Sequence, residues 1–176
     1  VSFVYSMLKI LKNVIPINKE NIIESIESLE KLNIQISSNN MTDSNQALKL
    51  AKEITEIPLI YYPWGLQAAA IRFKNSLQEN AKTHAMVEDV VEASHNGIVA
   101  WEKKSKIFPI LLQGHDDNAK TEERWGIFKT FFDNNKINYK EIVSIKGDIL
   151  SKLIHLMYLL DYTSIYKAVI SEIDPP

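Results

Sequence analysis

Apolar side chains recur along this chain in two rhythms, one helical and one of short continuous runs, and their order predicts the architecture. Residues 2–14 place Phe3, Met7, Ile10, Leu11 and Val14 on one stripe, with Lys9 and Lys12 off it. That spacing predicts an amphipathic packing helix ending before Pro16. Asn18 is placed to cap a second helix to about residue 33, with Ile22, Ile26, Leu29 and Leu32 inward and Glu24, Glu27, Glu30 and Lys31 in solvent. Residues 36–45, ISSNNMTDSN, are polar and rich in breakers, which predicts a loop closed by a cap at Thr42, Asp43 or Ser44. A helix over 44–56 then carries Ala47, Leu48, Ala51 and Ile54 inward.

From residue 57 the rhythm changes. Pro58-Leu59-Ile60-Tyr61-Tyr62 is a short apolar run bounded by Pro63 and Gly65, the pattern of a strand buried on both faces. A helix over 66–81 comes next, then a strand at 87–91, a clearer one at 107–112 ending in Gln113-Gly114, a helix over 117–135, a strand at 139–145 and a long helix over 148–171. The long helix is built on Leu150, Leu153, Ile154, Met157, Leu160, Tyr166 and Ile170. Strands alternating with helices predict an α/β fold, a three-layer αβα sandwich around a parallel sheet with right-handed crossovers. The expected division is helical connecting segments at 1–56 and the sheet-bearing domain at 57–176. Ligands on such a sheet bind at the carboxyl ends of the strands.

Composition narrows the class. At 176 residues, 45% hydrophobic and 24% charged, the chain has the make-up of a soluble globular domain. A formal charge of −2 with no basic cluster argues against a nucleic-acid partner. The apolar runs are too short to span a bilayer and no targeting segment is visible, so no membrane association is expected and the cytoplasm is the default compartment. With no cysteine, disulfides and thiolate metal sites are excluded. The chain opens on Val1 inside a helical pattern, which suggests a piece of a longer polypeptide.

The chemistry-bearing residues concentrate in 72–101, where Glu79-Asn80 and His95-Asn96 stand sixteen residues apart. Moving a proton on and off carbon at neutral pH needs a weak base and a weak acid on one small substrate, and Glu with His suits that task. The competing reading makes Glu79 an exposed helix-end acid paired with Lys82, and His95 a loop histidine bonded to backbone. Glu79 falls near the far end of its helix, so it reaches a site only through a folded-back turn or a subunit interface. His84, His155 and the cluster His115-Asp116-Asp117 are weaker candidates, the last lacking the spaced ligands of a metal centre. The Ser/Thr loop at 36–45 has no glycine for close approach to a phosphate. Trp64, Trp101 and Trp125 are expected as core or interface anchors.

The stretch resembles the bifunctional phosphoglucose/phosphomannose isomerases, built from two sugar-isomerase (SIS) domains. The resemblance is carried by Arg72, Lys74, Leu77-Gln78-Glu79-Asn80-Ala81-Lys82, Glu92, His95-Asn96, Ile98 and Trp101, then Gly147, Leu150, Asp161 to Tyr166, and Asp174-Pro175. It spans about residues 57–176 and implies a C-terminal SIS domain. It further implies aldose–ketose isomerisation of glucose-6-phosphate or mannose-6-phosphate with fructose-6-phosphate through an enediol, without metal or cofactor. Glu79 would be the base and His95 the ring-opening acid/base, supplied in the family by the partner subunit of a homodimer. The phosphate-gripping loop belongs to an N-terminal SIS domain absent from this chain, which alone is expected to be inactive. The alternatives are a non-catalytic sugar-phosphate-binding SIS module with a regulatory role, and a purely structural dimerisation domain.

Overall fold

The computed structural model describes residues 2–175. Its element order is α1 (Ser2–Ile10), α2 (Lys19–Ile36), α3 (Gln46–Glu53), β1 (Ile57–Tyr62), α4 (Gln67–Asn80), β2 (Met86–Asp89), α5 (Val90–Glu92), β3 (Ile107–Gln113), α6 (Ala119–Asn134), β4 (Lys140–Val143) and α7 (Ile149–Ile170). A π-helical turn, Ala93–Gly97, and a 3₁₀ turn, Ile98–Glu102, continue α5. The four strands form one sheet in the order β2-β1-β3-β4, every pair parallel. The expected α/β sandwich is the fold observed.

The sheet sorts residues by the two-residue period of an extended chain. Ile60 and Tyr62 of β1 join Ile110 and Leu112 of β3 and Ile142 of β4 in a core shared with α2, α3, α4 and α7. Leu59, Tyr61 and Leu111 point the other way, into an aromatic cluster with Trp101, Trp125, Phe128 and Phe132 from the 90–102 segment and α6. The chain moves from β1 outward to β2 across the first face, then back over β1 to β3 and on to β4 across the second. A reversal of direction accompanied by a change of face keeps one hand for every crossover.

Two expectations at the N-terminus differ from the structure. No residue of α1 is buried: Phe3 and Ile10 are each 74% exposed, and the chain turns away from the helix after Ile10 rather than continuing to residue 14. A hydrogen bond of 2.7 Å between Tyr5 Oη and Ser25 Oγ links it to α2. In α2 the predicted inward stripe is only partly covered. Ile26 is exposed while Leu32 and Ile36 are fully packed, the residues of α2 that join the sheet core lying in its second half.

The cap of α3 is Asn45, not Thr42, Asp43 or Ser44. Its Oδ1 accepts from Leu48 N at 3.0 Å, and its Nδ2 donates to Ile36 O, Asn40 O and Tyr166 Oη at 3.1, 2.8 and 3.3 Å. One fully buried amide therefore ties the end of α2, the loop, the start of α3 and α7 together. Thr42 and Ser44 bond instead to each other and to Asn40, which consumes the hydroxyls a phosphate would have needed. Asn45→Ala removes a cap and strands buried carbonyls, so it is expected to cost about 2 kcal/mol of unfolding free energy in urea titration.

Candidate functional site

Glu79 stands in the last turn of α4. This helix turns Ala69, Ala70, Phe73 and Leu77 to the sheet, the alanines allowing close approach, and its far side is left to solvent. Glu79 is exposed. The pairing with Lys82 that the non-catalytic reading of Glu79 implies does not form at the carboxylate. Lys82 adopts a positive φ of 50° just past the helix and its Nζ donates to the Glu79 carbonyl at 2.6 Å, closing the helix end. The carboxylate stays open.

Other matched residues of α4 fasten the domain. Arg72 grips Asp161 of α7 through Nε and Nη2, with Nη2 to Oδ2 at 2.7 Å, and Ser76 donates to the same carboxylate. Asn80 Nδ2 donates to Ser164 Oγ at 2.8 Å. These residues at helical spacing form a polar seam between α4 and α7. The Arg72–Asp161 pair is half exposed on the arginine side, so its contribution is of the order of 1 kcal/mol or less.

His95 lies in the π-helical turn. Asp89 ends β2 and caps α5, its Oδ1 accepting from Val91 N at 2.7 Å. Val90 and Ala93 are buried, and the wider turn pushes His95 and Asn96 into solvent. Such turns concentrate at functional sites. The segment runs over the face of the sheet opposite to α4. Glu79 and His95 of one chain therefore flank the edge strand β2 from its two sides, and among the described residues no hydrogen bond joins them. Two cavities, of about 840 and 340 Å³, are lined by neither residue.

Glu88 was not legible as a site residue. It pairs in register with Tyr61 on β2, so it shares that residue's face of the sheet, beneath the turn that carries His95. Burial, and then the charge of Glu92, raise its pKa above the usual carboxylate value. Tyr61, donor-paired by Trp101 Nε1 at 2.8 Å, is pushed well up, chiefly by burial and further by Glu88. The signal available beforehand was only an acid at an inward-facing strand position.

The remaining candidates have other duties. Asp117 accepts from Gly114 N and Trp125 Nε1, Asp116 pairs with Lys152, and His115 N donates to Ser144 Oγ. His84 is exposed, and His155 sits on α7 with a pKa lowered by burial. Trp101 and Trp125 are core residues as expected, whereas Trp64 is 92% exposed in the turn after β1. Among the described residues no helix is long and apolar enough to cross a membrane.

A family model described as "Bacterial phospho-glucose isomerase C-terminal SIS domain" matches residues 43–176. The chain belongs to this family. The SIS domain is 27% identical over 162 residues to a bifunctional phosphoglucose/phosphomannose isomerase of Caldicellulosiruptor bescii, a match covering 89% of this chain and 48% of that protein. It is 24% identical over 180 residues to the enzyme of the same name from Aquifex aeolicus, covering 99% of this chain and 51% of that one. The chain thus spans about half the length of these curated relatives. In fold it is similar to a glucose-6-phosphate isomerase like protein from Thermus thermophilus, with a TM-score of 0.71 at 16% identity over 89% of this chain and 52% of that one.

The raised pKa of Glu88 in this SIS domain has a consequence for stability. Between the ordinary value of 4.5 and the higher native value, the folded state binds more protons than the unfolded one, so stability falls as pH rises through that window. Above it the full penalty is present. Glu88→Gln is therefore expected to raise Tm near neutral pH and to lose that advantage well below pH 4.5, as followed by thermal melts across pH.

Proposed function

We propose that this SIS domain, residues 57–176 with connecting helices before it, is the C-terminal half of a two-domain isomerase. Its reaction interconverts glucose-6-phosphate or mannose-6-phosphate with fructose-6-phosphate. Glu79 takes the proton from C2 of the open-chain aldose and electrons move to the C1 carbonyl, whose oxygen takes up a proton to give an enediol; Glu79 then returns its proton to C1 as the C2 hydroxyl gives up its own and the C2 carbonyl forms. His95 moves the proton on the ring oxygen that opens the cyclic sugar, a task suited to a group that both gives and takes protons near neutrality. The phosphate grip comes from the preceding SIS domain, and neither step calls for a metal.

The observation that carries this reading is the state of the two side chains inside the matched region. In a segment where Arg72, Ser76 and Asn80 are all engaged in holding the domain together, the Glu79 carboxylate and the His95 imidazole are open to solvent. Their positions on opposite faces favour a site completed by a second subunit, with Glu79 from one protomer and His95 from its partner in a homodimer.

Two measurements test that arrangement. In the full-length polypeptide, Glu79→Gln is expected to lower kcat by about a thousandfold with KM within a few-fold, as steady-state kinetics would read. A sugar-phosphate sensor would keep its binding and lack turnover before substitution as well. Mixing inactive Glu79→Gln and His95→Asn subunits is expected to restore activity, because a mixed dimer regains one site with both native groups. Absence of any recovery after verified subunit exchange would rule out a site shared between chains.

A further inference from the structure

The π turn that presents His95 rests on a carboxyl group that the reaction scheme leaves unused. Gly97 has ordinary right-handed helical torsions, φ −66° and ψ −36°, so its backbone makes no demand for glycine. Alanine at such a position is ordinarily better by about 1 kcal/mol. What a side chain at residue 97 would meet is the Glu88 carboxyl: a Cβ there would stand 2.8 Å from both carboxyl oxygens and 3.1 Å from the carboxyl carbon, so the carboxyl, the movable end of its side chain, would have to shift. The Glu88 carboxyl lies against the side of Gly97 from which a Cβ would project.

Strand geometry puts it there. Side chains alternate along β2, Val87 packing with the core on the α4 side, so Glu88 points to the opposite face and under the turn. Residues 95 and 97 are two apart, about half a revolution around the π-helical turn. The side of the turn facing Glu88 is therefore the reverse of the side that presents His95 to solvent. Among the described residues no hydrogen bond engages the Glu88 carboxyl; its neighbours are the Gly97 backbone, the Glu92 charge and the Tyr61 hydroxyl.

We propose that Glu88 is a positioning residue for His95, its carboxyl wedged against Gly97 setting how far the turn and its imidazole stand from the sheet. This rests on the isomerase reading for its kinetic consequence, though not for its geometry. Removing the carboxyl lets the turn settle inward; adding a methyl at residue 97 unseats the carboxyl and disturbs the same contact. Both changes misplace a proton-transfer group without touching the groups that hold substrate.

The test is a double-mutant cycle on Glu88→Ala and Gly97→Ala, with Glu88→Asp as a shorter carboxyl that no longer reaches the glycine. In the full-length polypeptide each single variant is expected to lower kcat roughly ten- to hundredfold with KM changed less than about twofold. The double variant should be no worse than either single one. In the chain itself, the His95 ring resonances should shift in each variant, and the shift in the double variant should fall short of the sum. Unmoved resonances and unchanged kcat in both single variants, or losses that add in the double variant, overturn the proposal. If the unsubstituted full-length polypeptide shows no isomerase turnover, the isomerase reading fails by itself and the resonance cycle still decides the role of Glu88.

Discussion

The alternation of side chains along β1 is the constraint on which the rest of this molecule depends. A strand flanked by parallel neighbours must bury both its faces, and β1 sends Ile60 and Tyr62 to one layer and Leu59 and Tyr61 to the other. Each layer then has to be closed by helices returning over it. The single hand of the crossovers decides which connection lies on which side: α4 on one face, the 90–102 segment and α6 on the other. Every candidate site residue inherits its position from that division.

The helical layer on the α4 side is closed by α7, which is apolar almost all the way round because α2, α3 and α4 all pack on it. Apolar contact alone would leave such a helix free to slide or rotate. Directional polar contacts remove that freedom. Asn45 and Tyr166 tie α7 to the end of α2, Arg72 and Ser76 hold Asp161, and Asn80 holds Ser164. Two of the residues matched to the isomerase family in α4, Arg72 and Asn80, make this seam. Glu79, beside Asn80 in the same motif, leaves its carboxylate free.

The edge strand β2 is short, its outer side is unpaired among the described residues, and it is bordered by α4 on one side and the His95 turn on the other. Glu79 and His95 lie on opposite faces of the sheet at this edge. In the proposed reaction a second subunit would bring the two groups to one substrate. Glu88 and Gly97 belong to the same border, where an acid half removed from water lies against a backbone stripped of its side chain.

The periodicities determined a good deal. Buried parallel strands announce themselves as short apolar runs, and all four strands and α4, α6 and α7 lie within a few residues of where the pattern put them, whereas the helical segment between β2 and β3 was not predicted. Residue type left Glu79 and His95 between an acid/base pair and ordinary surface groups, and the resemblance of their segment to the isomerase family is what singles them out. What the pattern misjudged was coverage. The stripe on α1 and the first half of α2 has the spacing of a buried face, yet spacing states only which side is apolar, and the described partners do not reach it. The cap at Asn45 was decided by a buried amide serving four elements, which the local preference of Thr42 or Ser44 could not anticipate. The π turn, the opposed faces of Glu79 and His95, and the Glu88 carboxyl against Gly97 were decided by tertiary structure alone. Each depends on which elements the sheet brings together, and a linear pattern carries the facing of a residue along its own element but not the neighbour it will face.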